Sequence, residues 1–487
     1  MERLSRGLSQ ADRERIAADS AALTAWQAQE SDPGVLPTLG LDDVTRQVPR
    51  PSYTLETVGG VRIGRIPQPT GGLVYLDVQL RLPDLAPELL TVLPLYAYAL
   101  TRSGAAGRDY LALARRIEAV TGGIGAAVAV GSAPESLDET RLSLTLSGKA
   151  LSRHGPALAD LLRDLLTRPE FTRERLDQLL SQRLAGMKSG LVSSGNHYAA
   201  LLASAQVSPV AALEEQLSGL SALGELRRWA EHPGKTGELL QRFEAISDAL
   251  RRARARIALT ATPDDLLLDL SGLLGVLSAD LAPGHPQVRE VSGPQARLTD
   301  TPVAFNAVSW ETVPFAHPDS PALLVLARLL RSQYLQAEIR EKGGAYGGDA
   351  QLNLRSGLFG LSSYRDPHVR RTFEVFGGIS QFLRGGVSDA LLRESILSAS
   401  KALDPLTSPD TVGRMRFFGD EAGFSADLYD QYLARLLQVT PGDLSRVAAE
   451  YLTPERAGYA LLAGEDPNAQ TSGLLTFEVE RLDSPQG

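Results

Sequence analysis

The sequence predicts an α+β fold: two homologous domains, each an antiparallel or mixed sheet packed with helices, preceded by a helical hairpin and linker. Three observations lead there. The chain has 487 residues, too many for one ordinary core. Strand-like alternation and helix-like spacing are interleaved along each half. The order of elements then repeats: strand, helix, Gly-Gly, hairpin, two helices, a helical zone and a closing strand run from about residue 51 and start again near residue 301. TGGIGAAVAV at Thr121 aligns with KGGAYGGDAQL at Lys342. Each copy has room for its own core. The expected divisions are 1–50 for the hairpin and extended linker, 51–275 for the first domain and 276–487 for the second.

Taken in order, residues 5–30 read as a helical segment. Ser9-x-x-Asp12 resembles a helix-start box, and Ile16, Leu23 and Trp26 give a sparse apolar stripe for packing on something larger. SDPGVLPTLGLDDV, punctuated by Pro and Gly, is an extended connector. Strands follow at VRIGRI and at Leu73 to Leu82, whose ten-residue alternation marks a half-buried strand. Helices are expected at Pro87–Leu100 and Tyr110–Val120, then Gly122-Gly123 and the hairpin IGAAVAVG/RLSLTLSG. Helices at Gly155–Thr167 and Thr172–Ser189, a helical zone from His197 to Ala249 and the strand around Ile257 complete the first copy. In the second, VAFNAVSW is a strand, and a helix begins at Pro321. The hairpin DAQLNL/GLFGLSSY, helices at Val369–Leu383 and Ser388–Leu403, VTPGDLSRVAAEYL and a closing strand Ala457–Gly464 follow.

The stretch from Pro321 to Leu352 carries the candidate chemistry. Leu323, Leu326, Leu329 and Leu330 fall at helical spacing with no interruption, so a helix should run to Gly343-Gly344 and stop at a left-handed cap. Tyr346 to Leu352 then reads as a short strand. Arg340 sits on the last helical turn and Tyr346 just past the reversal, so both can face one cavity. A guanidinium and a phenol held this way suit gripping a peptide and stabilising an oxyanion. The bland alternative is a dipole-complementing helix-end arginine and a half-buried strand tyrosine. Gly343, Gly344, Gly347 and Gly348 lack the Lys-Ser/Thr of a phosphate loop and lie between helix and strand, so they read as a tight reversal that lets a peptide backbone come close.

Composition removes other classes. A net charge of −9 gives no basic footprint for nucleic acid. No apolar run reaches the roughly 18 residues of a membrane span, and MERLSRGLSQADRER has no apolar signal core; a cytoplasmic protein is the expectation. Cysteine is absent, which excludes disulfides and thiolate chemistry in this chain. The six histidines, His154, His197, His232, His285, His317 and His368, form no H-x-x-E-H or H-E-x-x-H. His317 and His368, near Asp319 and Asp366, read as surface loop residues rather than ligands. Arg251, Arg252, Arg254 and Arg256 read as a solvated helical face, or a cluster meeting an acidic surface. Glu338 and Glu341 read as solvated or paired with arginines.

Four blocks together, REKGGAYGG (Arg340–Gly348), VTPGDLSRVAAEYL, LPTLGLDDV and SGNHYAALLASAQVSP, resemble the pitrilysin/insulysin superfamily of zinc peptidases. More closely, the chain resembles the C-terminal half of the presequence-protease, falcilysin-like subfamily. The resemblance spans nearly the whole chain in the right order, with REKGGAYG the most specific element. It implies a clamshell of four homologous peptidase-like α+β domains around a chamber for unfolded peptides. It implies a zinc motif H-x-x-E-H on the N-terminal half, and an arginine and a tyrosine from the C-terminal half, here Arg340 and Tyr346. The hairpin joining the halves matches residues 5–30.

The departure from the family is the missing zinc motif. The resemblance therefore implies that zinc belongs to the complete enzyme and to the other half, with no ligand assigned to this chain. The expected partners are a zinc-bearing N-terminal half, as a separate chain or an upstream region, and an unfolded peptide. Nucleic acid and membrane are not expected. Alone, the chain should bind no zinc and cleave nothing. A degenerate, non-catalytic scaffold or peptide-binding subunit is the alternative, and an empty homodimeric shell a third reading.

Overall fold

The structure is a computed structural model and describes residues 9–27, 39–279, 282–286, 288–289 and 291–482. It divides into two compact units, Met1–Val44 and Thr45–Gly487. In the first unit, helix α1 (Gln10–Gln27) starts at the expected box: Asp12 N–H donates to Ser9 Oγ and Ser9 N–H to Asp12 Oδ2, both at 3.2 Å. Its stripe is open to solvent, with Trp26 70% exposed. The described residues of this region hold one helix and a single 3₁₀ turn, Leu41–Asp43, where a hairpin of helices was expected. Most of the expected connector, residues 31–38, lies outside the described residues.

The second unit contains two six-stranded sheets built to one plan. In chain order the first uses β1 (Thr54–Val58), β2 (Val61–Pro67), β3 (Leu73–Arg81), β4 (Ile124–Ala133), β5 (Ser136–Leu151) and β6 (Arg254–Ala261). The second uses β7 (Gln295–Leu298), β8 (Phe305–Glu311), β9 (Gly347–Asn353), β10 (Leu358–Tyr364), β11 (Ala457–Ala463) and β12 (Glu478–Arg481). Across the sheets the orders are β4-β5-β3-β6-β2-β1 and β9-β10-β8-β11-β7-β12. Strand for strand they correspond, each with the strand after its Gly-Gly pair at one edge. The parallel pairs β2–β6 and β7–β11 also correspond. The copies differ at the far edge, where β1 runs antiparallel to β2 but β12, arriving from the C-terminus, runs parallel to β7.

Alternation placed most strands well, and Tyr110–Val120 and Gly155–Thr167 form the expected helices. Three expectations are corrected. Pro87–Leu100 is two helices, Pro87–Leu90 and Leu93–Leu100, the second entered through Pro94 in its first turn. Val369–Leu383 breaks at Gly377-Gly378. Ala457–Ala463 does not close the second copy, because β7 and then β12 add beyond it.

Three helices organise the interior: α2 (Gly195–Ser204), α3 (Ser320–Leu329) and α4 (Pro409–Glu421). α3 packs behind β9, on its own sheet. α2 and α4 are exchanged. α2, from the first copy, crosses the second sheet over β8, β10 and β11, while α4, from the second copy, crosses the first over β6 and β2. Small residues make both crossings close: a Cβ on Gly195 would lie 2.6 Å from Phe305 Cγ, and one on Gly64 2.6 Å from Phe417 Cγ. Ser204 Oγ donates to Ser309 Oγ at 2.9 Å, and the Gln206 amide pairs with the Tyr459 backbone at 3.0 and 3.1 Å. Under α4, Glu421 is bound by Arg62 at 2.7 Å and Arg256 at 3.2 Å. The solvated arginine face is therefore corrected in part: Arg254 and Arg256 lie on β6, and Arg256 is buried against that carboxylate, which balances a charge burial alone would penalise.

Candidate functional site

The expected helix from Pro321 is α-helical only through Leu329. From Leu330 to Glu341 it continues as a π-helix, with Leu330, Leu335 and Ile339 buried beneath it. π-Helical turns are rare and concentrate at functional sites. Arg340 lies on the last turn. The helix ends on nested bonds: Gly344 N–H donates to Arg340 O at 3.0 Å, and Ala345 N–H to Ile339 O at 3.1 Å. Gly344 has φ +75°, the left-handed conformation a cap requires. At Gly343 the demand is space, since a Cβ would sit 2.9 Å from Glu338 O and 2.8 Å from the Arg371 guanidinium. A Cβ on Gly348 would press on Leu335 and Ile339 at 3.0 and 3.1 Å, so β9 lies flush on the helix and fixes where Tyr346 emerges.

Arg340 and Tyr346 are brought together on the surface. The Arg340 guanidinium carbon is 5.9 Å from the Tyr346 ring centroid, and Tyr346 is 66% exposed. The Tyr346 ring meets the edge of Tyr364 at 5.7 Å and 77°; Tyr364 in turn donates its hydroxyl to Ser193 O at 3.2 Å. Tyr364 is the contributor that sequence reading missed. It was read as the end of a strand, and the signal was the hairpin register, which sets Gly347 opposite Tyr364 and so brings Tyr346 beside it. Two nearby cations are neutralised: Arg331 pairs with Asp349 at 3.1 Å and Lys342 with Glu338 at 2.6 Å. Among the described residues Arg340 has no carboxylate within ion-pairing distance, so its fork of donors is open.

No three His, Asp or Glu side chains among the described residues converge on a metal-binding position. Asp319 is occupied by Arg446 at 2.6 Å and the Tyr451 hydroxyl at 2.8 Å, and buried Asp366 by Asn306 and Thr372. These residues do not fit a zinc ion. A cavity of about 630 Å³ opens between the helices around Glu225 and strands β7 and β12, and Tyr346 is not among the residues lining it. Several of its polar groups are paired with one another, Arg297 with Glu480 at 3.0 Å and Gln295 with Glu478 at 2.9 Å, so size alone does not make it the site. No helix among the described residues is long and apolar enough to cross a membrane.

Comparison with known proteins places this geometry. Residues 1–228 match the family model of the region associated with M16 peptidases of subfamily C, and residues 301–440 that of the PreP C-terminal domain. The chain is 31% identical over 493 residues to the mitochondrial presequence protease of Danio rerio, covering 94% of this chain and 48% of that protein. It is 31% identical over 464 residues to that of Aspergillus oryzae, covering 91% and 44%. The chain thus spans about half the length of the curated relatives it matches. Among solved structures, a peptidase M16 inactive domain from Pseudomonas fluorescens superposes with a TM-score of 0.60 at 14% identity, over 85% of this chain and 98% of that one. The periplasmic protease PqqL from Escherichia coli gives 0.58 at 16% identity, over 95% and 51%. These last two likenesses establish the fold.

Proposed function

Because the chain belongs to the peptidase M16 family and corresponds to the C-terminal half of its presequence-protease branch, we propose that it is the metal-free wall of a clamshell oligopeptidase. The facing half, a separate polypeptide or an upstream region, brings the H-x-x-E-H zinc centre, for which the described residues of this chain hold no fitting cluster. The substrates are short, unstructured peptides, since a closed chamber admits only chains that are already unfolded.

The observation supporting this best is the open Arg340/Tyr346 pair at the end of a helix seated on Leu330, Leu335 and Ile339. The planar fork of Arg340 donates to a substrate carbonyl oxygen from a fixed direction. The Tyr346 hydroxyl donates to the oxygen that gains charge as the scissile carbonyl becomes tetrahedral. Gly343 and Gly344 keep the chain low at the reversal, so that the peptide backbone approaches Arg340 without meeting a side chain. Closure of the facing half removes water, which strengthens both contacts.

The test is metal analysis and a quenched-peptide assay on the chain alone, then after mixing with a zinc-bearing half from a relative. The expected result is no stoichiometric zinc and no cleavage alone, with cleavage appearing on mixing. Stoichiometric zinc in the isolated chain overturns the proposal. A mixture that assembles without cleaving favours a scaffold instead.

A further inference from the structure

Arg365 follows Tyr364 directly and has φ +50°; only Ala106 shares a left-handed backbone among the described non-glycine residues. Such a conformation is strained for an L-residue and is usually given to glycine or asparagine. The backbone here is held by its neighbour. Asp366 is 1% exposed, exchanges two 2.8 Å backbone bonds with Ala304, and its carboxylate accepts from Thr372 Oγ1 at 2.7 Å, His368 N–H at 2.9 Å and Asn306 Nδ2 at 3.3 Å. Glycine would be the least strained occupant of position 365. A long cation there needs a reason in its side chain.

That side chain extends the row already described. The Arg365 guanidinium carbon lies 5.4 Å from the Tyr364 ring centroid, Tyr364 meets Tyr346 at 5.7 Å, and Arg340 lies 5.9 Å from Tyr346. Two phenols therefore stand between two guanidiniums. The adjacent cations Arg331, Lys342 and Arg370 each have a carboxylate within 3.1 Å. Arg340 and Arg365 have none among the described residues. An ordinary solvated arginine would gain nothing from a strained backbone, an aromatic platform and the lack of a counter-ion.

We propose that Arg365 is a second subsite on this surface, taking a carboxylate of an extended peptide whose nearby backbone carbonyl is held by Arg340. The inference rests on the peptide-handling reading above and adds a preference for acidic substrate groups to it. The carboxylate has two sources, an acidic side chain or the peptide's own C-terminus.

Fluorescence anisotropy of the chain with labelled unstructured peptides separates them. Matched peptides carry Glu or Gln near the middle and a free or amidated C-terminus. The wild-type chain is expected to favour one carboxylate form by about three- to fivefold, the scale of a solvent-facing ion pair. Arg365→Gly should abolish that preference, leave neutral-peptide affinity unchanged and not lower the melting temperature, because glycine suits the backbone. Arg340→Gln should weaken every peptide alike. Persistence of the preference in a folded Arg365→Gly chain overturns the inference, as does wild-type binding without any carboxylate preference while Arg340→Gln still weakens it. A wild-type chain that binds none of the peptides, or an Arg340→Gln chain that binds them all as before, overturns the underlying peptide-handling reading.

Discussion

Gly343 and Tyr346 stand three positions apart and answer to different pressures. Gly343 is held by sterics: Gly343→Ala forces a methyl group against the Glu338 carbonyl and should cost about 1–3 kcal/mol in urea unfolding. Gly344→Ala should cost about 1 kcal/mol, through its positive φ. Tyr346→Phe removes a hydroxyl from a ring that is mostly in solvent, so the unfolding midpoint should stay within error. A large loss of stability there would mean that the tyrosine is a structural anchor. The placement of Arg340 and Tyr346 on either side of the reversal was legible because helix spacing and a Gly-Gly stop are local signals, whereas their role comes from the family resemblance. Tyr364 and Arg365 were not, because their place depends on hairpin register and a buried aspartate network. Arg256 was misread for the same reason, its partner Glu421 being 165 positions away.

At the scale of elements, β3 carries a charge problem with a measurable signature. Asp77 is 4% exposed beneath α4, and burial pushes its carboxyl up to about 6; the hydrogen bond from Ser147 and Arg414 at 3.7 Å offset this only in part, and Asp410 adds to it. The folded chain thus holds the Asp77 proton more tightly than the unfolded chain does. Stability from this group is complete below about pH 4 and is lost as pH rises through about 6. Asp77→Asn should therefore raise stability above pH 6, by on the order of 2–3 kcal/mol, and flatten the slope between pH 4 and 6. An unchanged slope would show that the carboxylate is ionised throughout.

Helical glycines give a second contrast. Gly195→Ala should destabilise despite alanine's better helix propensity, because Phe305 fills the space. Gly186→Ala, with nothing within 4 Å, should stabilise by about 0.5–1 kcal/mol. Long elements with strong periodicity were readable from sequence. β7 and β12 were not, being four residues each and carrying Arg297, Glu478 and Glu480. Nor was the π-helix, since nothing in a leucine pattern distinguishes a widened turn.

At the scale of the whole unit 45–487, the duplication was visible in the order of elements, but the exchange of α2 and α4 was not. That exchange is a long-range packing choice, made by Gly195 meeting Phe305 and Gly64 meeting Phe417. It makes each copy incomplete without the other, because separating them strips a helix from one face of each sheet. The two copies should therefore unfold together. Trp229 lies in the first copy and Trp310 in the second, so single-tryptophan variants, with the others replaced by Phe, should report coincident urea midpoints. Two separated transitions would show that the copies fold independently. The same coupling gives the Arg340/Tyr346 surface its stiffness, since the Tyr364 hydroxyl on the second copy is tied to Ser193 on the first. The reading that this surface completes a reaction centre on a facing half is tested most directly by turnover of a quenched peptide after mixing with that half, wild type against Tyr346→Phe. Turnover should fall by about 10²–10³ with assembly unchanged, as for loss of one oxyanion donor; equal turnover in the two mixtures would contradict it.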